Sequence, residues 1–162
     1  MSILIAYAGK TGTSRRCAQM LSEQLPGSTV ADLYEQTPDP AAFDAVILGG
    51  CIRAGQVRRP LRRYIDRYPA VLSEKPLGLF LCCTGSAQAE KYFRDNFPPY
   101  LFKFCRAHFH LGGDWPQESL RGADRLVARI AQHRSPAPGI IEENIRAMAQ
   151  AFAPFAGGAY ED

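Results

Sequence analysis

The sequence predicts an α/β domain, a parallel sheet covered by helices on both faces. Short apolar runs alternate with amphipathic helical patterns along the 162 residues. The central runs are continuous, as strands buried on both faces require. Gly-, Ser- and Thr-rich stretches follow three of these runs, at the carboxyl ends of strands where an open α/β sheet binds its ligands.

Ile3-Leu4-Ile5-Ala6-Tyr7 forms the first strand, and Cys17, Leu21 and Leu25 then recur at helical spacing until Pro26-Gly27 stops the helix. Thr29 to Leu33 reads as a weaker, alternating strand, Ala45 to Leu48 as a continuous buried one and Leu77 to Cys83 as another. His108-Phe109-His110-Leu111 alternates polar with apolar and suits a sheet edge. Amphipathic segments fall at 57–72, 97–107, 119–133 and 140–153, with Pro98 and Pro99 accommodated in the first turn of the second. The count is five strands in βα alternation, in a single domain spanning 1–162.

Composition narrows the function classes. Hydrophobic residues make up 46% and charged residues 22%, an ordinary globular balance. No apolar run approaches the roughly 20 residues of a membrane span, and the first is too short for a signal sequence, so a cytoplasmic protein is expected. Cys17, Cys51, Cys82, Cys83 and Cys105 are odd in number and lack metal-ligand spacing, which points to reduced thiols and no metal site. A net charge of +3 does not mark a nucleic-acid binder.

The loops carry the chemistry. The first strand runs into Gly9-Lys10-Thr11-Gly12-Thr13-Ser14, the third into Gly49-Gly50-Cys51-Ile52-Arg53-Ala54-Gly55, and the fourth into Thr84-Gly85-Ser86. Such loops offer backbone N–H groups and hydroxyls, and the first also opens a helix whose positive dipole end points at it. An anionic group, a phosphate, is the expected ligand; the plain alternative is a tight turn that needs glycine. Lys10 precedes Gly12, so the loop is not a nucleoside-triphosphate loop, and the dinucleotide G-x-G-x-x-G is absent.

The first loop resembles the phosphate-binding loop of the flavodoxins, T/S-x-T-G-x-T. That resemblance implies a flavodoxin-like three-layer sandwich with strand order 2-1-3-4-5 and FMN as cofactor. It gives the Thr11 and Ser14 hydroxyls and the Lys10, Gly12 and Thr13 N–H groups to the FMN phosphate. Gly9 stands where the family has a hydroxyl residue, which removes one side-chain hydrogen bond. The segment VILGGCIRAG, 46–55, is similar to the G-x-S-I-R-x-G of a flavodoxin branch that includes menaquinone-linked protoporphyrinogen IX dehydrogenases, with Cys51 replacing the small hydroxyl residue. RGADRLVARIAQ, 121–132, resembles the D-R-containing helix of that branch. The flavin ring would then lie along Cys51, Ile52, Arg53 and Ala54, with Gly55 able to flip its peptide toward N5 and Thr84, Gly85 and Ser86 beside it. No aromatic residue occurs at 49–57 or 84–91 to sandwich the ring, as carriers of the family do.

Arg53, Arg58, Arg59, Arg62, Arg63 and Arg67 cluster in and just after the third loop. They would attract an anionic substrate such as a porphyrinogen, or anionic headgroups at a membrane surface beside a quinone pool. The alternative is a solvated helix face, with Leu61, Ile65 and Leu72 as its core stripe. Cys82-Cys83 reads as core rather than a vicinal redox pair, because adjacent strand residues face opposite ways. His108 and His110 share a face without a third metal ligand, and Trp115 reads as a cap on the core. Three functions remain open: an FMN-dependent oxidoreductase, in its most specific form like protoporphyrinogen IX dehydrogenase with a quinone acceptor; a flavodoxin-type carrier between redox partners; and a flavin-free interaction module.

Overall fold

The structure, a computed structural model, describes residues 1–83, 86–113 and 139–157, the Ser86 side chain excepted. Its sheet runs β2-β1-β3-β5-β6, formed by β1 (Ile3–Ala8), β2 (Thr29–Asp32), β3 (Ala45–Arg53), β5 (Leu77–Cys82) and β6 (Cys105–His110). All four pairings along this path are parallel. The short β4 (Gln56–Val57) folds back antiparallel on the end of β3. Counting parallel strands alone, this is the expected order 2-1-3-4-5.

Helices cover both faces. On one, α2 (Arg59–Arg67), α3 (Pro69–Glu74), α4 (Ala89–Asn96) and α5 (Pro99–Phe104) bury Leu61, Tyr64, Leu72, Phe93 and Leu101 against Leu4, Val46 and Leu79. On the other, α1 (Thr13–Gln24) and α6 (Glu142–Phe152) bury Cys17, Leu21, Met148 and Phe152 against Ile5, Ile47 and Phe80. Every side chain of β1 and β5 is buried, which is why these strands read as unbroken apolar runs. A two-strand pair, β7 (Gly112–Gly113) with β8 (Gly139–Ile140), follows β6. No helix among the described residues is long and apolar enough to cross a membrane.

Four expectations need correction or qualification. The third strand does not end at Leu48: Gly49 and Gly50 pair with Tyr7 and Ala8 on one side and Phe80 and Leu81 on the other. They are glycines because a Cβ at 49 would lie 2.3 Å from the Phe80 ring and one at 50 would lie 2.4 Å from the Ala8 carbonyl. The helix expected over 57–72 is two helices, because Pro69 disfavours helical backbone at Tyr68, which has φ −125° and ψ 44°. The helix expected over 97–107 covers only Pro99–Phe104, and Cys105 to Ala107 instead start β6 beside Leu77 and Gly78. Helix α4 was not anticipated, although Ala89 and Phe93 give it a buried i, i+4 pair. The helix expected at 119–133, Trp115, Thr84 and Gly85 lie outside the described residues.

Candidate functional site

At the carboxyl end of β1 the chain turns through Gly9 to Gly12 into α1. Gly12 adopts a left-handed conformation, φ 91°, which favours glycine, and its missing side chain would point into open space. Among the described residues no side chain caps α1, its first turn holds no acidic residue, and Arg15 and Arg16 are both exposed there. Arg15 is turned to the Tyr7 hydroxyl, to which its Nε donates at 3.1 Å, and the positive end of the helix dipole favours an anion. Backbone donors, the exposed Lys10 and the Thr11 hydroxyl complete a set suited to a phosphate.

The floor of this loop is built from thiols and one hydroxyl. Ser14 is fully buried, and its Oγ lies 2.9 Å from Cys51 Sγ at the end of β3; Thr11 Oγ1 stands 4.0 Å from the same sulfur. Beneath them, the Cys82 thiol donates to Cys17 Sγ at 3.8 Å. That bond and burial hold the Cys82 thiol well above its ordinary pKa. Cys82 therefore pairs across the sheet-helix interface with Cys17, while Cys83 follows the strand and its carbonyl lies 2.7 Å from His110 Nε2. Gly9 does not have a positive φ, yet a Cβ there would meet Ser14 Oγ at 2.8 Å, Ser14 Cβ at 2.9 Å and Cys51 Sγ at 3.2 Å. Gly9 makes room for the Ser14 side chain.

Cys51, Ile52 and Arg53 are the last residues of β3, and Ala54 and Gly55 form the two-residue turn of the β3–β4 hairpin. Both turn residues have positive φ, 50° and 76°, the geometry of a type I′ turn. The hairpin is latched from α4: Asn96 Nδ2 donates to the Gly55 carbonyl at 3.0 Å, and Asn96 Oδ1 accepts from Val57 N at 2.9 Å. The peptide expected to flip is thus held by a side chain that sequence reasoning missed. Tyr92, also on α4, places its ring beside Gly55, so an aromatic does stand near the turn, one residue beyond the aromatic-free stretch 84–91.

A cleft of about 770 Å³ opens on the far side of this hairpin, between it, the chain after β2 and α2. Five of the six clustered arginines line it (Arg53, Arg58, Arg59, Arg63 and Arg67) together with Lys10, and none of its described lining residues is acidic. Arg62 alone lies outside the cleft lining, while Arg53, Arg59, Arg63 and Arg67 are exposed, as the solvated-face reading expects, and also line the cleft. Tyr34, 43% exposed, forms part of the wall, and its hydroxyl accepts from Arg58 Nε at 3.0 Å. His108 is an edge residue whose Nε2 lies 3.3 Å from Glu90, and no His, Cys, Asp and Glu cluster among the described residues could hold a metal.

The fold and the loop define a class: a doubly wound α/β domain with a glycine-containing turn into a helix where the strand order reverses. A flavodoxin domain model matches residues 4–135, and the chain belongs to the flavodoxin family. An oxidoreductase from Corynebacterium diphtheriae is similar in structure, with TM-score 0.60 and 13% identity over 96% of each chain. Oxidised Flavodoxin 1 from Bacillus cereus superposes with TM-score 0.57 and 12% identity, over 95% of this chain and 98% of that one. Rubredoxin oxygen:oxidoreductase from Desulfovibrio gigas gives 0.56 and 13% over 94% of this chain, which spans only 35% of that protein. At these identities the likeness is one of fold. No protein with curated annotation matches the sequence.

Proposed function

We propose that the chain binds FMN and acts as a cytoplasmic FMN-dependent oxidoreductase, in its most specific form resembling protoporphyrinogen IX dehydrogenase with a quinone as acceptor. The observation that carries this reading is the start of α1: Gly12 turns left-handed into a helix whose N-cap makes no side-chain hydrogen bond and whose first turn holds no acidic residue, with the exposed Lys10 beside it. FMN would supply the electron chemistry. The residues of the chain bind and orient it. Backbone N–H groups from Lys10 to Thr13 and the Thr11 hydroxyl hold the phosphate, while Cys51 to Gly55 and Thr84 to Ser86 flank the ring. The positive field around Arg53 draws an anionic reduced substrate toward the hairpin and favours an enzyme over a carrier that docks on basic partners.

Absorbance of the purified protein and chromatography of released cofactor test the first part. A colourless protein that takes up no FMN at micromolar concentration would overturn both redox readings and leave the flavin-free module. Arg53→Ala tests the second: FMN stays bound, while kcat/KM with a porphyrinogen or quinone falls about 10- to 100-fold, the worth of one charged contact. Rapid reduction of the wild type by a ferredoxin or NADPH reductase, with no turnover of either substrate, would make it a carrier.

A further inference from the structure

We infer that the arginine cleft is a second anion site, separate from the phosphate loop, and that it takes a nucleoside diphosphate moiety. The sheet order places it on its own flank. The phosphate loop follows β1 and the expected ring loops follow β3 and β5, whereas the cleft is walled by Leu33, Tyr34 and Thr37 after the edge strand β2. Of the residues given to FMN, Lys10, Arg53 and Ala54 reach it, the last two from the outer side of the hairpin, so the two sites adjoin at the hairpin and differ on the β2 and α2 sides.

Three features specify the ligand. Arg59, Arg63 and Arg67 recur at i, i+4 and i+8 along the cleft wall of α2, about 6 Å apart. The row is longer than a diphosphate, so Arg59 and Arg63 would converge their paired N–H donors on it while Arg67, with its guanidinium 5.4 Å from the Tyr68 ring centroid, adds positive charge at the far end. The nine-residue α2 begins in the cleft at Arg58, with no side-chain cap and no acid in its first turn, so its dipole adds to the same demand for negative charge. The Tyr34 ring, held by Arg58, gives an aromatic base a flat surface on which to stack. A concave volume of about 770 Å³ suits a small molecule rather than a bilayer or a protein face.

The experiment is titration calorimetry at low ionic strength on the protein as purified, its FMN content measured separately, with ADP, inorganic pyrophosphate, tricarballylate and phosphatidylglycerol vesicles as probes. ADP should bind more tightly than pyrophosphate, and both more tightly than tricarballylate. Arg63→Gln with Arg67→Gln, both exposed positions, should weaken ADP about tenfold or more while FMN affinity stays within about twofold. Tyr34→Leu should remove the advantage of ADP over pyrophosphate. ADP binding by a protein that takes no FMN would sink the flavin reading and support this one. The inference is overturned if ADP and pyrophosphate fail to bind at millimolar concentration, or if the arginine variants bind ADP like wild type. Mutual displacement of ADP and FMN, tricarballylate binding as tight as ADP, or binding of the vesicles alone would overturn it too.

Discussion

The proposed phosphate loop and the arginine cleft lie side by side at one end of the sheet, and each is suited to negative charge by different means. The loop works through backbone: Gly12 turns into α1 in a left-handed conformation, and Gly9 gives up its side chain so that Ser14 can pack beneath. The cleft works through side chains from four separate stretches of chain, with Lys10, Tyr34, Arg53 and the α2 arginines meeting only when β2 and α2 are folded together. Fixed dipoles are set by packing and tolerate little change in volume, whereas long exposed side chains can be exchanged without disturbing the core. The loop should therefore fail through sterics and the cleft through charge.

Gly9→Thr is the largest test of that contrast. Judged by hydrogen bonds alone, the substitution restores the family's hydroxyl and tightens FMN. The packing argues the reverse, because the new Cβ falls within 3 Å of both Ser14 Oγ and Ser14 Cβ, and the latter cannot move without α1. We expect a stability loss of about 1–3 kcal/mol in urea unfolding, with FMN affinity reduced more than about tenfold. Adding Ser14→Gly should recover much of both. Tighter FMN binding in the single variant would show that the loop relaxes as freely as the cleft.

Thr11→Ala comes next. Thr11 is the loop's half-buried hydroxyl, and removing it leaves a charged acceptor one donor short, for a loss of about 1–3 kcal/mol or roughly 5- to 150-fold in FMN affinity. Riboflavin, which lacks the phosphate, should bind the variant and the wild type alike. Equal losses for both ligands would move the phosphate elsewhere.

The same contrast governs what was legible in the sequence. The loop is contiguous, so its glycines, hydroxyls and following helix could be read directly, and the buried strands announced themselves because every β1 and β5 side chain is apolar or Gly. The reading failed where local pattern and tertiary context disagree. Cys105 to Ala107 continue a helical pattern but are claimed by the edge of β5, and Gly49-Gly50 resemble a loop although they are strand residues trimmed to fit Phe80 and Ala8. Asn96 gave no signal, since beside a local bond to the Tyr92 carbonyl its other two go to backbone 41 and 39 residues away. The arginines were visible as a cluster, but not that five of them share a cavity with Tyr34, because that depends on the β2 edge lying beside α2.

Ser14→Ala separates the two roles its hydroxyl could play and carries the smallest expected effect on affinity. By the motif, the hydroxyl faces the phosphate, and its loss should resemble that of Thr11. In the fold it is fully buried, 2.9 Å from Cys51 Sγ, which makes it part of the floor and leaves the backbone N–H as its contribution to the ligand. Removing it takes the hydroxyl partner from the half-buried Cys51 thiol and retains the Cβ, so unfolding should show a loss of about 0.5–1.5 kcal/mol. The ratio of FMN to riboflavin affinity should change less than about threefold, because the dipole and N–H groups that hold a dianion are untouched. Cys51→Ser in the same background tests the pairing from its other side: with Ser14 absent it should add little further loss, since the two groups satisfy each other. A fall in the FMN-to-riboflavin ratio as large as that of Thr11→Ala would mean that the hydroxyl turns from Cys51 to the phosphate when the ligand binds, and that side-chain donors matter more in this loop than its packing implies.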